Sequence, residues 1–336
     1  MLGEDVRIPM DGRISRRTLL KAGLFMAMTP GAAKAAPSPV FLARTTDRAA
    51  GIRRGLAALG MPAVRGTRVV IKPNFNSADP YPASTHLETL RLLITHLQAG
   101  GVGGVSIAER SGMGSTRRVM EQLAIPALAR ELGFEAVVLD ETPMGGWVEE
   151  GLAGGHWKRG VLFPRIFRDA DHIVQTCCLK THRYGGHFTL SLKNSVGMVA
   201  KHSPRDGYNY MQELHGSPYQ RLMIAEINQL YRPSLVVLDG IEGFADGGPD
   251  HGTLIKPGVL LLGSDRVAID AVGVALLRLH GGNRTISAGR VFDQEQIARA
   301  AQLGLGARGP EQIEVVTDDS ESRAVADRVR EVLLGG

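Results

Sequence analysis

Only two cysteines, Cys177 and Cys178, occur among the 336 residues. That scarcity excludes a disulfide framework and any four-cysteine zinc or iron–sulfur site. Aromatic residues make up 5% of the chain and no basic stripe interleaves with them, so a nucleic-acid surface finds no support. No apolar run approaches the roughly 20 residues that span a bilayer as a helix. The Gly-Lys-Ser/Thr that ends a phosphate-binding P-loop is absent throughout. What is present is an ordinary 43% hydrophobic content, in a chain long enough for one large domain with a sizeable core.

The first residues carry a different pattern. SRRTLLK, Ser15 to Lys21, sets Arg16 and Arg17 ahead of a short apolar run from Leu19 to Met28. Pro30 and the small-x-small site Ala33-Lys34-Ala35 follow, as before a signal-peptidase cut. The run is too short for an anchor, and the paired arginines resemble the twin-arginine export signal. The expectation is a cleaved signal over residues 1–35 and a mature chain of 36–336 with no membrane span. The twin-arginine export machinery is then a partner and the address is periplasmic or otherwise exported. That resemblance also implies export in the folded state, which allows a cofactor to be loaded beforehand. Residues 1–35 hold six basic and three acidic side chains, so removing their net +3 from the formal +5 leaves about +2. The surplus of positive charge is largely a property of the signal.

Along the mature chain, short aliphatic runs alternate with stretches of helical spacing. Strands are predicted at Val69–Ile71, Gly104–Glu109, Ala136–Asp140, Asp171–Cys178, Leu235–Asp239, Gly258–Gly263 and near Ile313–Val316. A capping box, Thr85 to Glu88, opens a helix that Gly100-Gly101 stops. Further helices are expected from about Thr116 to Leu132 with a break at Pro126, from Ser217-Pro218 to about Tyr231, over Val267–Leu279 and near Arg323–Leu334. Glu141 to Arg168 reads as irregular. The alternation predicts an α/β fold: a single domain on a mainly parallel sheet with helices on both faces.

The chemistry-bearing residues cluster where strands end. Lys72-Pro73-Asn74, Glu109-Arg110-Ser111, Asp140, Lys180-Thr181-His182 and Asp239 each end or follow a strand. In an open parallel sheet those ends share one edge, where ligands bind. CCLKTHRYGGHFTLSLKN, Cys177 to Asn194, is the densest cluster, and a plain basic loop does not explain its combination of lysine, histidine and asparagine. The leading reading is an enzyme that binds a small anionic molecule. Lys180, His182 and Lys193 are its candidate catalytic residues, and Lys72, Asn74, Arg183 and Asn194 its substrate-binding ones. Lys72, Lys180 and Lys193 supply the positive field, and His182 serves as acid, base or ligand. The alternative is a non-catalytic carrier holding a divalent metal or cofactor through His182, His187, Glu109 and Asp239. Glu109 to Gly114 offers backbone N–H groups at a helix start, although that loop lacks the dinucleotide-binding glycine spacing. Adjacent strand residues point to opposite faces, so Cys177 and Cys178 read as core rather than as a metal pair. Asp239 to Thr253 reads as a glycine-rich lid, and Asp270, inside an apolar helix, as a carboxylate with a structural partner.

Five segments together resemble the family called domain of unknown function 362: VVIKPNFN, IAERSG, DADHIVQTCCLKTHRYGGHFTLSLKNSVGMV, VLDGIEGFADGGPDHGT and GVLLLGSDRVAIDAVG. They occur in the family's order, and LKTH…LKN is the most specific of them. The resemblance implies one continuous α/β domain and is consistent with an exported member. It implies no reaction. Many members carry ferredoxin-like cysteine clusters; this chain has none, so it holds no iron–sulfur cluster of its own. N-terminal sequencing of exported protein should begin at Ala36, and lysine at positions 16 and 17 should block export. Full-length protein retained in the membrane would overturn the signal assignment.

Overall fold

Aliphatic runs bounded by glycine, proline and polar residues suit strands buried on both faces. In the computed structural model, which describes residues 37–60, 63–152 and 154–335, they form the centre of the fold. The arginine pair, the apolar run and the site at Ala35 lie outside the described residues. The strands are β1 (Ser38–Arg44), β2 (Arg68–Lys72), β3 (Gly104–Glu109), β4 (Glu135–Val138), β5 (Trp147–Glu150), β6 (Val161–Pro164), β7 (His172–His182), β8 (His187–Phe188), β9 (Leu235–Gly247), β10 (Gly252–Ile255), β11 (Val259–Gly263) and β12 (Ile313–Val316). The helices are α1 (Arg48–Leu59), α2 (Leu87–Ala99), α3 (Thr116–Gln122), α4 (Ile125–Leu132), α5 (Arg165–Arg168), α6 (Ser191–Asn194), α7 (Tyr210–Gly216), α8 (Gln220–Ile227), α9 (Arg266–Leu279), α10 (Arg284–Ser287), α11 (Glu295–Gln302) and α12 (Ser320–Gly335).

The main sheet runs β12-β1-β11-β9-β7-β2-β3-β4. The five strands from β9 to β4 pair in parallel, as do β1 and β12, while β11 runs against both its neighbours. The fold is α/β, with a mainly parallel sheet. Alternation along β9 shows why both faces are covered: Leu235 and Val237 join one core, Val236 and Leu238 another. The first core packs under α1, α2 and α4 through Ile52, Leu56, Leu90, Leu93, Ile94 and Leu128. The second packs under α9, α11 and α12. Because α9 lies between the sheet and other helices, it is apolar around most of its circumference. A third core, with Trp147, Trp157, Phe163 and Phe167, covers Val70 of β2 and Ile173 of β7.

Several boundaries differ from the sequence reading for identifiable reasons. β7 continues through Lys180-Thr181-His182, because β8 pairs with its end. β9 runs on to Gly247, because β10 folds back on it. The glycine-rich stretch after Asp239 is therefore a hairpin and not a lid. The expected capping box is replaced: His86 caps Glu88 N–H in α2, and the Thr85 hydroxyl accepts from Asn74 N–H at 2.8 Å. The helix expected over Thr116–Leu132 divides at Leu123-Ala124, with Ala124 at φ 57 and Pro126 in the first turn of α4. The helix expected from Ser217 starts at Gln220, and the Ser217 hydroxyl accepts from Tyr219 N–H at 3.1 Å. The stretch read as irregular contains the β5–β6 hairpin and α5.

Asp270 finds its partners in the backbone. Its two carboxyl oxygens accept from Ser191 N–H at 2.8 Å and Leu192 N–H at 3.0 Å, which fixes the start of α6. Burial nonetheless pushes its pKa up to about 8, against those two donors. A folded-state value above the unfolded one means its contribution is full below the unfolded value and is lost as pH rises through about 8. Asp270→Ala orphans both donors and should cost about 2–5 kcal/mol in denaturant titrations. Asp270→Asn should cost less and remove the pH slope, and equal losses in both variants would refute the capping role.

Candidate functional site

Lys72 is the last residue of β2, and Pro73 after it restricts Lys72 to extended backbone. Glu109 is the last residue of the neighbouring β3. Their side chains meet at the sheet edge, Lys72 Nζ to Glu109 Oε1 at 2.7 Å, and both are buried. Lys72 also donates to Pro73 O at 2.7 Å and Asn194 Oδ1 at 3.1 Å. Glu109 accepts from Phe75 N–H at 2.9 Å and Arg110 N–H at 2.8 Å. Burial pushes Lys72 down and Glu109 up, and their contact opposes both shifts. Gly197 presses its backbone against the pair: a Cβ there would lie 2.5 Å from Glu109 Oε1 and 2.7 Å from Lys72 Nζ.

Three further buried cations surround this pair, and none makes an ion pair with a carboxylate among the described residues. Arg110 is held by carbonyl oxygens, Val199 O at 3.0 Å and Val196 O. Lys180 donates to Asn74 Oδ1 at 2.9 Å, Pro249 O at 3.1 Å and Ala83 O. Lys193 on α6 has no hydrogen-bond or ion-pair partner among the described residues, though it is only 9% exposed. Burial, then the charges of Lys180 and Arg110, lower its pKa to about 7. His182 is held neutral by burial and by Lys193 and Lys180, which drive its pKa well below the usual value. Its Nδ1 is buried and unpartnered.

Lys72, Glu109, Arg110, Lys193 and His182 line a cavity of about 650 Å³ outside the carboxyl ends of the parallel strands. Lys72, Asn74, Glu109 and His182 reach its wall from strand ends, and Lys193 and Asn194 from α6. Asn194 accepts from Asn74 Nδ2 at 3.3 Å as well as from Lys72, so the two asparagines are fixed to each other. The exposed part of the lining is mixed, with Met113 39% and Tyr184 50% exposed beside exposed His202, Gln212 and His215.

Other expected members lie elsewhere. Lys180 sits behind the wall and acts on it through Asn74, because it is wholly buried within β7. Arg183 turns away from the cavity: its guanidinium pairs with Asp250 at 2.8 Å and stacks 4.5 Å from the Tyr184 ring. Asp239 shares its parity with Leu235 and Val237, so it faces α1 and α2. There it binds Arg48 at 2.7 Å, Tyr81 Oη at 2.6 Å and Thr89 at 3.1 Å. His187, with φ 60, lies outside the cavity beside Gln294, Arg221 and Glu295. The metal set His182, His187, Glu109 and Asp239 therefore does not converge. Among the described residues no cluster of three or more histidine, cysteine, aspartate or glutamate side chains is placed to hold a metal ion. Cys177 and Cys178 are free and buried, as the core reading expected. Arg110, Lys201, His202 and His215 also line the cavity without having been assigned a role. Arg110 was visible at a strand end, whereas His215 comes from α7, which no strand-end pattern marks.

Among solved structures, the lactate racemase apoprotein from Thermoanaerobacterium thermosaccharolyticum is similar with a TM-score of 0.42 and 13% identity, over 90% of this chain and 91% of that one. A likeness that distant carries no argument about activity. No curated protein matches the chain. Residues 69–275 match the family model described as Domain of unknown function (DUF362). That match spans more than half of the sequence, including both strand ends of the Lys72–Glu109 pair and the whole LKTH…LKN segment, and the chain belongs to the DUF362 family.

Proposed function

We propose that this chain is an exported enzyme acting on a small anionic substrate, bound in the crevice at the carboxyl ends of the strands. The carrying observation is the charge imbalance: Arg110 and Lys193 line one cavity, Lys180 lies behind its wall, all three are buried, and among the described residues no carboxylate pairs with any of them. An uncompensated buried cation costs several kcal/mol, and an anion in the cavity would remove that cost. Glu109 does not fill the role, since Lys72 and two N–H donors already occupy it. Lys72, Arg110, Asn74 and Asn194 hold the anion in this reading, and Lys193 and His182 face it as the reacting groups. A lysine near 7 exchanges its proton at neutral pH. The twin-arginine-like start supports the exported address.

Titration calorimetry with inorganic phosphate and with small carboxylates tests the reading. Binding should weaken with salt. It should tighten as pH falls through about 7, where Lys193 becomes charged. Lys193→Met should cost about tenfold or more in affinity, or ~1.4 kcal/mol, and flatten the pH dependence. Absence of any anion binding at low salt would defeat the proposal.

Lys193 should also cost the ligand-free fold stability. Its folded-state pKa lies below its unfolded value, so the folded chain is penalised for holding that proton, and stability should rise between pH 7 and about 10. Lys193→Met should therefore raise the unfolding midpoint, more at pH 6 than at pH 10. A destabilised variant at pH 6 would mean the amine serves the fold.

A further inference from the structure

Lys193 and His182, both on the cavity wall, pack against the backbone of Gly186. A Cβ on Gly186 would lie 2.6 Å from Lys193 Cε and 3.1 Å from His182 Nδ1, so a bare backbone is what allows both side chains to pack there. The amine of Lys193 makes no polar contact with the described residues, and His182 Nδ1 is buried without a partner. Two side chains, each with a nitrogen that has no polar partner among the described residues, thus border the same positively charged cavity. Resting on the anionic-substrate reading, we propose that the substrate class is a small 2-oxo carboxylate and that Lys193 captures its carbonyl as an imine, with His182 moving the protons.

The chemistry balances without an oxidant. The Lys193 Nζ lone pair bonds to the carbonyl carbon, and the carbonyl π pair moves onto oxygen. His182 takes a proton from the new ammonium and passes it to that oxygen, giving a carbinolamine. The nitrogen lone pair then forms C=N as the C–O bond breaks. The departing hydroxide leaves as water with the remaining N–H proton, again relayed by His182. The carboxylate lies in the positive field of Arg110, which lines the cavity. Burial and the charges of Lys180 and Arg110 make Lys193 a poor permanent cation, and what they preserve is its lone pair, the property that addition to a carbonyl requires. The titratable and charged groups that bear on it are Lys180, Arg110, His182 and His215.

Borohydride trapping tests this directly. The full chain is incubated with pyruvate, phenylpyruvate or glyoxylate, reduced, and analysed by intact mass and peptide mapping. The expected result is one reduced adduct on the peptide bearing Lys193, absent from Lys193→Arg. Its formation should rise with pH to a half-point near 7, as the free amine appears. His182→Asn should slow adduct formation at least tenfold while the 2-oxo acid still binds by calorimetry. Binding of the 2-oxo acids with no adduct, or with adducts spread over exposed lysines, overturns the imine and leaves anion binding standing. If neither the 2-oxo acids nor phosphate binds, both the imine and the anionic-substrate reading fall. Circular dichroism of each variant separates loss of the amine from loss of the fold.

Discussion

The ion pair of Lys72 and Glu109 ties together the ends of two adjacent parallel strands and the segment that follows Lys193. Lys72 reaches across to Asn194 and Glu109 takes the N–H groups of Phe75 and Arg110, so the pair anchors both strand-end loops. Gly197 fits against it with no room for a side chain. It is the compensated pair in a neighbourhood of uncompensated cations. Without it the edge would carry one more buried positive charge, and the loops bearing Asn74 and Arg110 would lose their common attachment.

Around that anchor the site divides into a buried polar wall and an exposed, mixed rim. The inner wall is rigid for a stated reason: Lys180 holds Asn74, Asn74 holds Asn194, and Asn194 holds Lys72. Asp270 fixes the start of α6 from beneath, through two backbone N–H groups, and so sets where Lys193 projects. The rim, with Met113 and Tyr184, is open to solvent. Under the proposed anion-binding function the energetic logic is one of preorganisation, with stability given up at Lys193 and Arg110 to be recovered on binding.

The carboxyl ends of β2, β3 and β7 share an edge because these strands run parallel, and that edge brings Lys72, Asn74, Glu109, Arg110 and His182 to one cavity. Strand-end logic misplaced residues where strands continue beyond their aliphatic runs. LKTH looks like a loop because it is polar, yet β8 pairs with it and keeps it extended. Lys180 is consequently enclosed, and Arg183 leaves the cavity at the turn. Asp239 ends an aliphatic run as Lys72 does, but alternation on β9 sends its carboxylate to the opposite face. Parity was legible in the sequence; the direction in which each helix covers the sheet was not.

The sequence by itself determined the α/β class, the buried strands, the core position of the two cysteines and the family to which the chain belongs. Those depend on local periodicity and composition, which a linear reading contains. Only the tertiary structure decided which strand-end side chains meet, because that depends on parity, hairpin pairing and helix placement at once. It separated Asp239 and His187 from His182 and so dispersed the expected metal ligands. It also left Lys193 enclosed among cations without a carboxylate partner, since desolvation and neighbouring charge are fixed by residues distant in the chain, such as Arg110 and Lys180.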